Sequence, residues 1–290
     1  MIWYYILLYA LIQGVTEFLP ISSSGHLILA HEWVDGQSGV EALNDPSKKW
    51  AEDAVIDIAV HVGTLFSVLL YFWRDFFGIA RGVLLSIGSF VTPKSARNTD
   101  VEAAQGLRMA CLIILASMPV IIAGYLLHEW QPEWLRSPKT VAWTTLIFAY
   151  VLWLADRFRP AELVIEKLTV KSALLIGCAQ VLALIPGTSR SGITMTAARA
   201  LGFTRDAAAR FSLFLAVVAI SGAGALGGLD VLKSGDAQLG ANAIIAALIS
   251  FVAGYGAITI MFKWLQNHDF TPFVLYRAFL GLALLLMVYL

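Results

Sequence analysis

The sequence predicts an all-α polytopic integral membrane protein, with six transmembrane helices and two re-entrant helical hairpins arranged as an inverted repeat. Three observations predict it. Of the 290 residues 59% are hydrophobic and only 14% charged, with a mean hydropathy of +0.75, more apolar surface than a water-soluble fold can cover. Six apolar runs are long enough to cross a bilayer, and two further runs are interrupted in the middle by Pro, Gly and hydroxyl residues. The order hairpin, span, span, span then occurs twice along the chain.

The first interrupted stretch, 2–30, breaks at Pro20, Ile21, Ser22, Ser23, Ser24 and Gly25. It has no charged leader, since the first Lys or Arg is Lys48, so it is expected to stay in the mature protein. Spans follow at 54–72, 107–127 and 141–155. The second interrupted stretch, 172–200, breaks at Pro186, Gly187, Thr188, Ser189, Arg190, Ser191 and Gly192, and spans at 211–229, 241–262 and 273–290 complete the chain. Neither half of either broken stretch can cross a bilayer. Irregular backbone at membrane depth survives only where protein buries it or water reaches it, which predicts hairpins of two half-helices. A shift of 167 residues places Gln13 on Gln180, Ser22 on Ser189, Ser24 on Ser191 and Gly25 on Gly192. An odd number of spans per half inverts the second half, so residues 1–290 form a single membrane domain with repeat halves near 1–160 and 161–290.

Charge sets the orientation. The 20 Lys and Arg balance the 20 Asp and Glu, and no basic stripe follows a phosphate backbone, so the expected partner is the lipid bilayer and not nucleic acid. The connections 74–108, 157–171 and 199–210, with Lys263, carry thirteen Lys or Arg; those on the other side carry five. The first set is expected to be cytoplasmic. Both termini and the acidic loop 31–53 then lie outside, and the hairpin tips meet near the midplane.

At the first tip, Gln13 and Glu17 are four residues apart and share a helix face before Pro20 stops the half-helix. A carboxylate at this depth needs a metal, a proton or a cation. Ser22, Ser23 and Ser24 precede a new helix with His26 in its first turn, and free N–H groups with hydroxyl donors at a helix start favour an anion. The second tip supplies Arg190, flanked by Ser189, Ser191 and Thr194, with Gly187 and Gly192 keeping the backbone accessible. A guanidinium among hydroxyls at a helix N-terminus suits phosphate.

The stretches Gln13-Gly-Val-Thr-Glu17-Phe-Leu-Pro-Ile-Ser-Ser23-Ser-Gly-His26 and Pro186-Gly-Thr-Ser-Arg190-Ser-Gly-Ile-Thr194 resemble the two signature motifs of bacterial undecaprenyl-diphosphate phosphatases of the bacitracin-resistance type. The likeness extends to Asp57-Ile-Ala-Val-His61-Val-Gly63-Thr and Pro272-Phe-Val-Leu-Tyr276-Arg277. It implies hydrolysis of undecaprenyl diphosphate to undecaprenyl phosphate and inorganic phosphate with a divalent cation, Mg2+ or Ca2+, in the bacterial cytoplasmic (inner) membrane, at a site open to the periplasmic side. Glu17 would hold the cation or act as base, with Gln13 as a second metal-facing residue. Arg190 would neutralise the phosphates, Ser189 and Thr194 would orient them, and Ser191 and Gly187 complete the phosphate-binding set. Ser23 and His26 are both candidates for the attacking group, with Ser23 favoured. The family carries Glu or Gln at position 13; Gln here leaves one carboxylate, not two.

Other features have plainer readings. Asp57 and His61 either line the same cavity or pack against a polar helix end. Tyr276 and Arg277, early in the last span, read as interfacial anchors. The small residues Gly222, Gly224, Gly227 and Gly228 allow close helix packing. Cys111 and Cys178 lie in apolar runs and read as small core residues. A homodimer is compatible with the sequence. The rival class is a lipid transporter, since inverted repeats with broken helices serve alternating access. Against it, the repeat alignment sets Glu17 on Leu184, His26 on Ile193 and Arg190 on Ser23. The halves have divided acid, hydroxyl and cation between them.

Overall fold

The computed structural model describes residues 3–27, 46–89, 97–130, 135, 137–234 and 237–290. Helices α1 (Trp3–Thr16), α2 (starting at Ser23), α3 (Pro46–Tyr71), α4 (Trp73–Ser89), α5 (Arg97–Trp130) and α6 (Pro138–Phe158) are followed by α7 (Val170–Gln180), α8 (Arg190–Ala200), α9 (Arg205–Ser234), α10 (Ala237–Leu265) and α11 (Thr271–Tyr289). Among the described residues there is no strand, only an isolated bridge between Leu163 and Phe203.

Among the described residues four segments are long and apolar enough to cross a membrane: Ala103–Leu127, Pro138–Phe158, Leu239–Leu265 and Thr271–Tyr289. Val55–Tyr71 and Trp73–Ile87, bent by 81° to each other, pass the same test together and are either one broken span or a re-entrant loop. The protein is thus a multi-pass, all-helical membrane protein. Outward-facing Ile121, Ile122, Val252, Phe279 and Leu286 are exposed, and such a belt is stable only against lipid. The expected span 54–72 is the first arm of the bent pair. The expected span 211–229 falls within α9, whose side chains from 223 to 234, including most of the small-residue run, lie outside the described residues. Most of the acidic loop does too, at 28–45.

The bend after α3 contains no Pro or Gly. Phe72, 2% exposed, plugs it, with its ring edge-on to Tyr71, Phe214 and Phe262. The half-helices are short. Helices α7 and α8 have 11 residues each, roughly 16 Å, against a hydrocarbon core of about 30 Å. A Thr169–Ser172 capping box starts α7. Helix α1 packs on α10 and α7 on α5, while α3 meets α9 and α6 meets α11. Gly63 permits the α3–α10 approach, because a Cβ there would lie 2.1 Å from the Ala247 carbonyl oxygen.

Both broken stretches reach the central core, where Phe18 and Met195 are fully buried with Val68, Phe211 and Met261. At the other end of α8, buried Asp156 accepts from Arg199 Nε at 2.7 Å, Arg205 Nε at 2.9 Å and the Phe270 amide at 3.0 Å. That carboxylate ties α6, α8, α9 and α11 together. The cysteines correct the sequence reading: both are free and exposed, on outward faces and not in the core. An apolar run looks the same whether it faces lipid or protein.

Candidate active site

The first tip is built by a helix that stops early. Helix α1 ends at Thr16, although the Glu17 amide still bonds the Gln13 carbonyl at 3.0 Å, and the turn runs on through Pro20 to Ile21. Gln13 and Glu17 share a face as expected, with Gln13 Nε2 donating to Glu17 Oε2 at 2.8 Å. Ser22 then takes φ 71°, a left-handed conformation costing a non-glycine residue about 1–3 kcal/mol. That reversal starts α2 at Ser23, whose hydroxyl donates to Glu17 Oε2 at 3.5 Å.

The second tip repeats the device. Ser189 has φ 68° and caps α8 by accepting from the Gly192 amide at 3.1 Å. Its hydroxyl lies 3.2 Å from that of Ser191, as the Ser22 hydroxyl lies 3.2 Å from that of Ser24. Gly187 has φ +88°, and a Cβ there would strike Thr144 Oγ1 at 2.2 Å.

The tips are joined by three bonds. The Gly187 amide donates to Ser24 Oγ at 3.0 Å, Ser191 Oγ donates to the Leu19 carbonyl at 2.9 Å, and Arg190 Nη2 donates to Glu17 Oε1 at 3.3 Å. Arg190 Nη1 also donates to the Ser212 carbonyl at 3.1 Å. The Glu17 and Arg190 side chains are only 10% and 15% exposed, so their attraction is weakly screened. Ser191 and Thr194 are both buried. Thr194 Oγ1 donates to the Arg190 carbonyl at 2.8 Å and lies 2.7 Å from Ser212 Oγ. These two hydroxyls therefore shape the turn that holds Arg190.

Two residues with open readings belong to the site. His61 Nδ1–H donates to the Asp57 carbonyl at 2.7 Å, which leaves Nε2 to accept from Gln13 Nε2 at 2.9 Å; Nε2 lies 3.9 Å from Glu17 Oε2. Asp57 Oδ1 accepts from the Tyr9 hydroxyl at 2.9 Å. The i, i+4 spacing was the signal, and only the packing of α3 on α1 shows that this face turns inward.

His26 points elsewhere. Its Nδ1–H donates to the Ser22 carbonyl at 2.7 Å, and its Nε2 accepts from the Tyr276 hydroxyl at 2.6 Å. The interfacial reading of Arg277 is corrected: it is fully buried, and Nη2 donates to the Gly187 and Thr188 carbonyls at 3.1 and 2.9 Å. Two carbonyls of a broken tip have no helical partner, and the guanidinium of α11 supplies one.

Metal-binding capacity is modest. Among the described residues no group of three His, Cys, Asp or Glu side chains is placed to hold an ion. Gln13 Oε1, however, is a buried acceptor without a partner, although it is the Nε2 of the same amide that faces the Glu17 carboxylate. Glu17 thus offers a carboxylate to an ion such as Mg2+ that takes most of its ligands from substrate phosphates and water.

Fold and site together define a polytopic membrane protein that assembles an acid, a hydroxyl and a guanidinium from two broken-helix tips. The family described as bacitracin resistance protein BacA matches residues 6–283, and the chain belongs to it. It is 43% identical to an undecaprenyl-diphosphatase of Hahella chejuensis over 100% of this chain and 99% of that protein. It is 42% identical to an undecaprenyl-diphosphatase of a Jannaschia species over 97% of each. Undecaprenyl-diphosphatase 1 of Rhodospirillum rubrum is 41% identical over 98% of this chain and 95% of its own length.

Proposed function

We propose that this chain hydrolyses undecaprenyl diphosphate to undecaprenyl phosphate and inorganic phosphate, regenerating the carrier lipid of peptidoglycan synthesis. The observation that carries the reading is the Glu17–Arg190 contact between the tips, with Ser23 beside the same carboxylate. The names of its relatives point to the same reaction.

Substrate phosphates compete with Glu17 for Arg190. As the guanidinium turns to them, with Ser189 and the α8 N-terminus contributing N–H and hydroxyl donors, the Glu17 carboxylate loses its cation and becomes a better base. Ser23 Oγ gives its proton to Glu17 and attacks the terminal phosphorus. The bond to the bridging oxygen breaks and undecaprenyl phosphate departs. Water then attacks the phosphorus of the Ser23 ester, the Oγ–P bond breaks as Oγ takes its proton back from Glu17, and inorganic phosphate leaves with the protons of the water. Ser23 is preferred over His26 because both ring nitrogens of His26 are engaged, with Ser22 and Tyr276. Ser191, Thr194 and Gly187 keep the phosphate-binding tip in shape. If Glu17 instead holds a divalent cation, Mg2+ or Ca2+, with Gln13 as a second metal-facing residue, the ion would neutralise phosphate charge and Glu17 would not serve as the base.

The reading includes an inverted repeat of six spans and two re-entrant hairpins in one domain, with halves near 1–160 and 161–290. Matching serine pairs with left-handed Ser22 and Ser189 support it, as does the correspondence of α1 on α10 with α7 on α5. The thirteen-to-five charge bias supports an orientation in the bacterial inner membrane with the site reached from the periplasm. A reporter fused after Leu290 should read periplasmic; a cytoplasmic reading reverses this orientation.

The reaction itself is tested by phosphate release from undecaprenyl diphosphate by purified protein in detergent. Phosphate should appear, and it should stop on chelation and resume when Mg2+ is restored. No release from folded protein with Mg2+ present sinks the hydrolase reading.

A further inference from the structure

We propose that Arg277 is a further positioning residue of the composite site: its buried charge, packed against the N-terminus of α8, attracts the diphosphate of the substrate to that helix end without touching it. The inference rests on the substrate class assigned above and adds a second cation to Arg190.

Among the described residues two arginines are fully buried, Arg199 and Arg277. Arg199 is matched. Its Nε donates to Asp156 Oδ1 at 2.7 Å, and Nη1 and Nη2 reach the carbonyls of Phe203, Asp156 and Arg159. Arg277 is not matched. Its Nη2 donates to the Gly187 and Thr188 carbonyls at 3.1 and 2.9 Å, whereas Nε and Nη1 are buried without a partner. The two carboxylates near the tips are engaged elsewhere. Glu17 pairs with Arg190, and Asp57, across His61 from Glu17, has a side chain 46% exposed to solvent.

Holding carbonyls does not account for a charge at this place. Neutral hydroxyls do the same for the same tip: Thr144 Oγ1 donates to the Pro186 carbonyl at 2.6 Å and Thr145 Oγ1 to the Gly187 carbonyl at 3.3 Å. A guanidinium brings five N–H donors and a permanent charge, and burying it with Nε and Nη1 idle is unfavourable until an anion completes it. The position of that anion follows from Gly192. A Cβ there would lie 2.6 Å from Arg277 Nη1 and 3.1 Å from Ser189 Oγ, so the guanidinium rests against the first turn of α8. That turn, with its N–H groups and the Ser189 hydroxyl, is the phosphate end of the site. Charge in such poorly solvated surroundings is weakly screened. Arg277 therefore acts on phosphate through the turn, while Arg190 meets it directly.

The test is binding of farnesyl diphosphate, farnesyl phosphate and farnesol to the full chain in detergent, with a chelator present so that only the protein's own cations act. The unaltered chain should prefer the diphosphate to the monophosphate by about tenfold or more. Arg277→Gln should weaken the diphosphate by about thirtyfold, the monophosphate by less and farnesol not at all. Arg277→Lys, which keeps the charge, should stay within about threefold of the unaltered chain. An unfolding curve accompanies each variant, and Arg277→Met, of similar reach and without charge, takes the place of Arg277→Gln if that variant does not fold. Equal weakening of diphosphate and monophosphate shows a residue that only shapes the tip and overturns the proposal. So does unchanged diphosphate affinity in Arg277→Gln, or a loss in folded Arg277→Lys as large as in Arg277→Gln, or failure of the unaltered chain to bind the diphosphate. Phosphate release by the unaltered chain with Mg2+, measured separately, decides the hydrolase reading on its own.

Discussion

Arg190→Ala lowers phosphate release from undecaprenyl diphosphate by on the order of a thousandfold or more. Arg190 is the cation in contact with the Glu17 carboxylate, and its second amino group is anchored on the Ser212 carbonyl. Phosphoryl transfer depends on positioning and charge neutralisation more than on covalent chemistry. Loss of the fork should therefore lower kcat, not only raise KM. Arg190→Lys should recover a small part, since an ammonium supplies charge without the bidentate geometry. The variant also leaves Glu17 in a poorly solvated place, so each assay needs a matched thermal-unfolding curve in detergent. Near-normal turnover by folded Arg190→Ala removes the composite site.

Ser23→Ala is expected to lose turnover at least a thousandfold with KM little changed, because Arg190 and the α8 N-terminus remain to hold the phosphates. His26→Ala should fall less, by about a hundredfold at most, because His26 holds the Ser22 carbonyl and Tyr276 and not the reacting groups. Brief reaction with substrate labelled in its terminal phosphate should leave label on the unaltered chain and none on Ser23→Ala. Label retained in Ser23→Ala and lost in His26→Ala would exchange the two roles.

The breaks at Pro20 and at Pro186–Gly187 were readable because those residues disrupt a helix in any context. The pairing of Gln13 with Glu17 followed from helical spacing alone, and the division of acid and guanidinium between the tips followed from the repeat. The 81° bend at Phe72 was not readable, because it rests on rings from α9 and α10 stacked around an ordinary aromatic residue. Arg277 misled for a related reason. A lone Arg near a helix start usually reaches toward the interface, whereas this one satisfies carbonyls exposed by a break some ninety residues earlier in the chain. His61 and Asp57 had the right spacing, but which face of α3 turns inward depends on its packing against α1 and α10.

The most direct test of the composite site is a double-mutant cycle on Glu17 and Arg190, using Glu17→Gln, Arg190→Lys and the combination, with phosphate release as the readout. If the two side chains act as one unit across the tips, the double variant should lose little more than the worse single variant. If the two losses multiply in full, Glu17 and Arg190 act independently, and the account of an active site assembled between the two broken helices is contradicted.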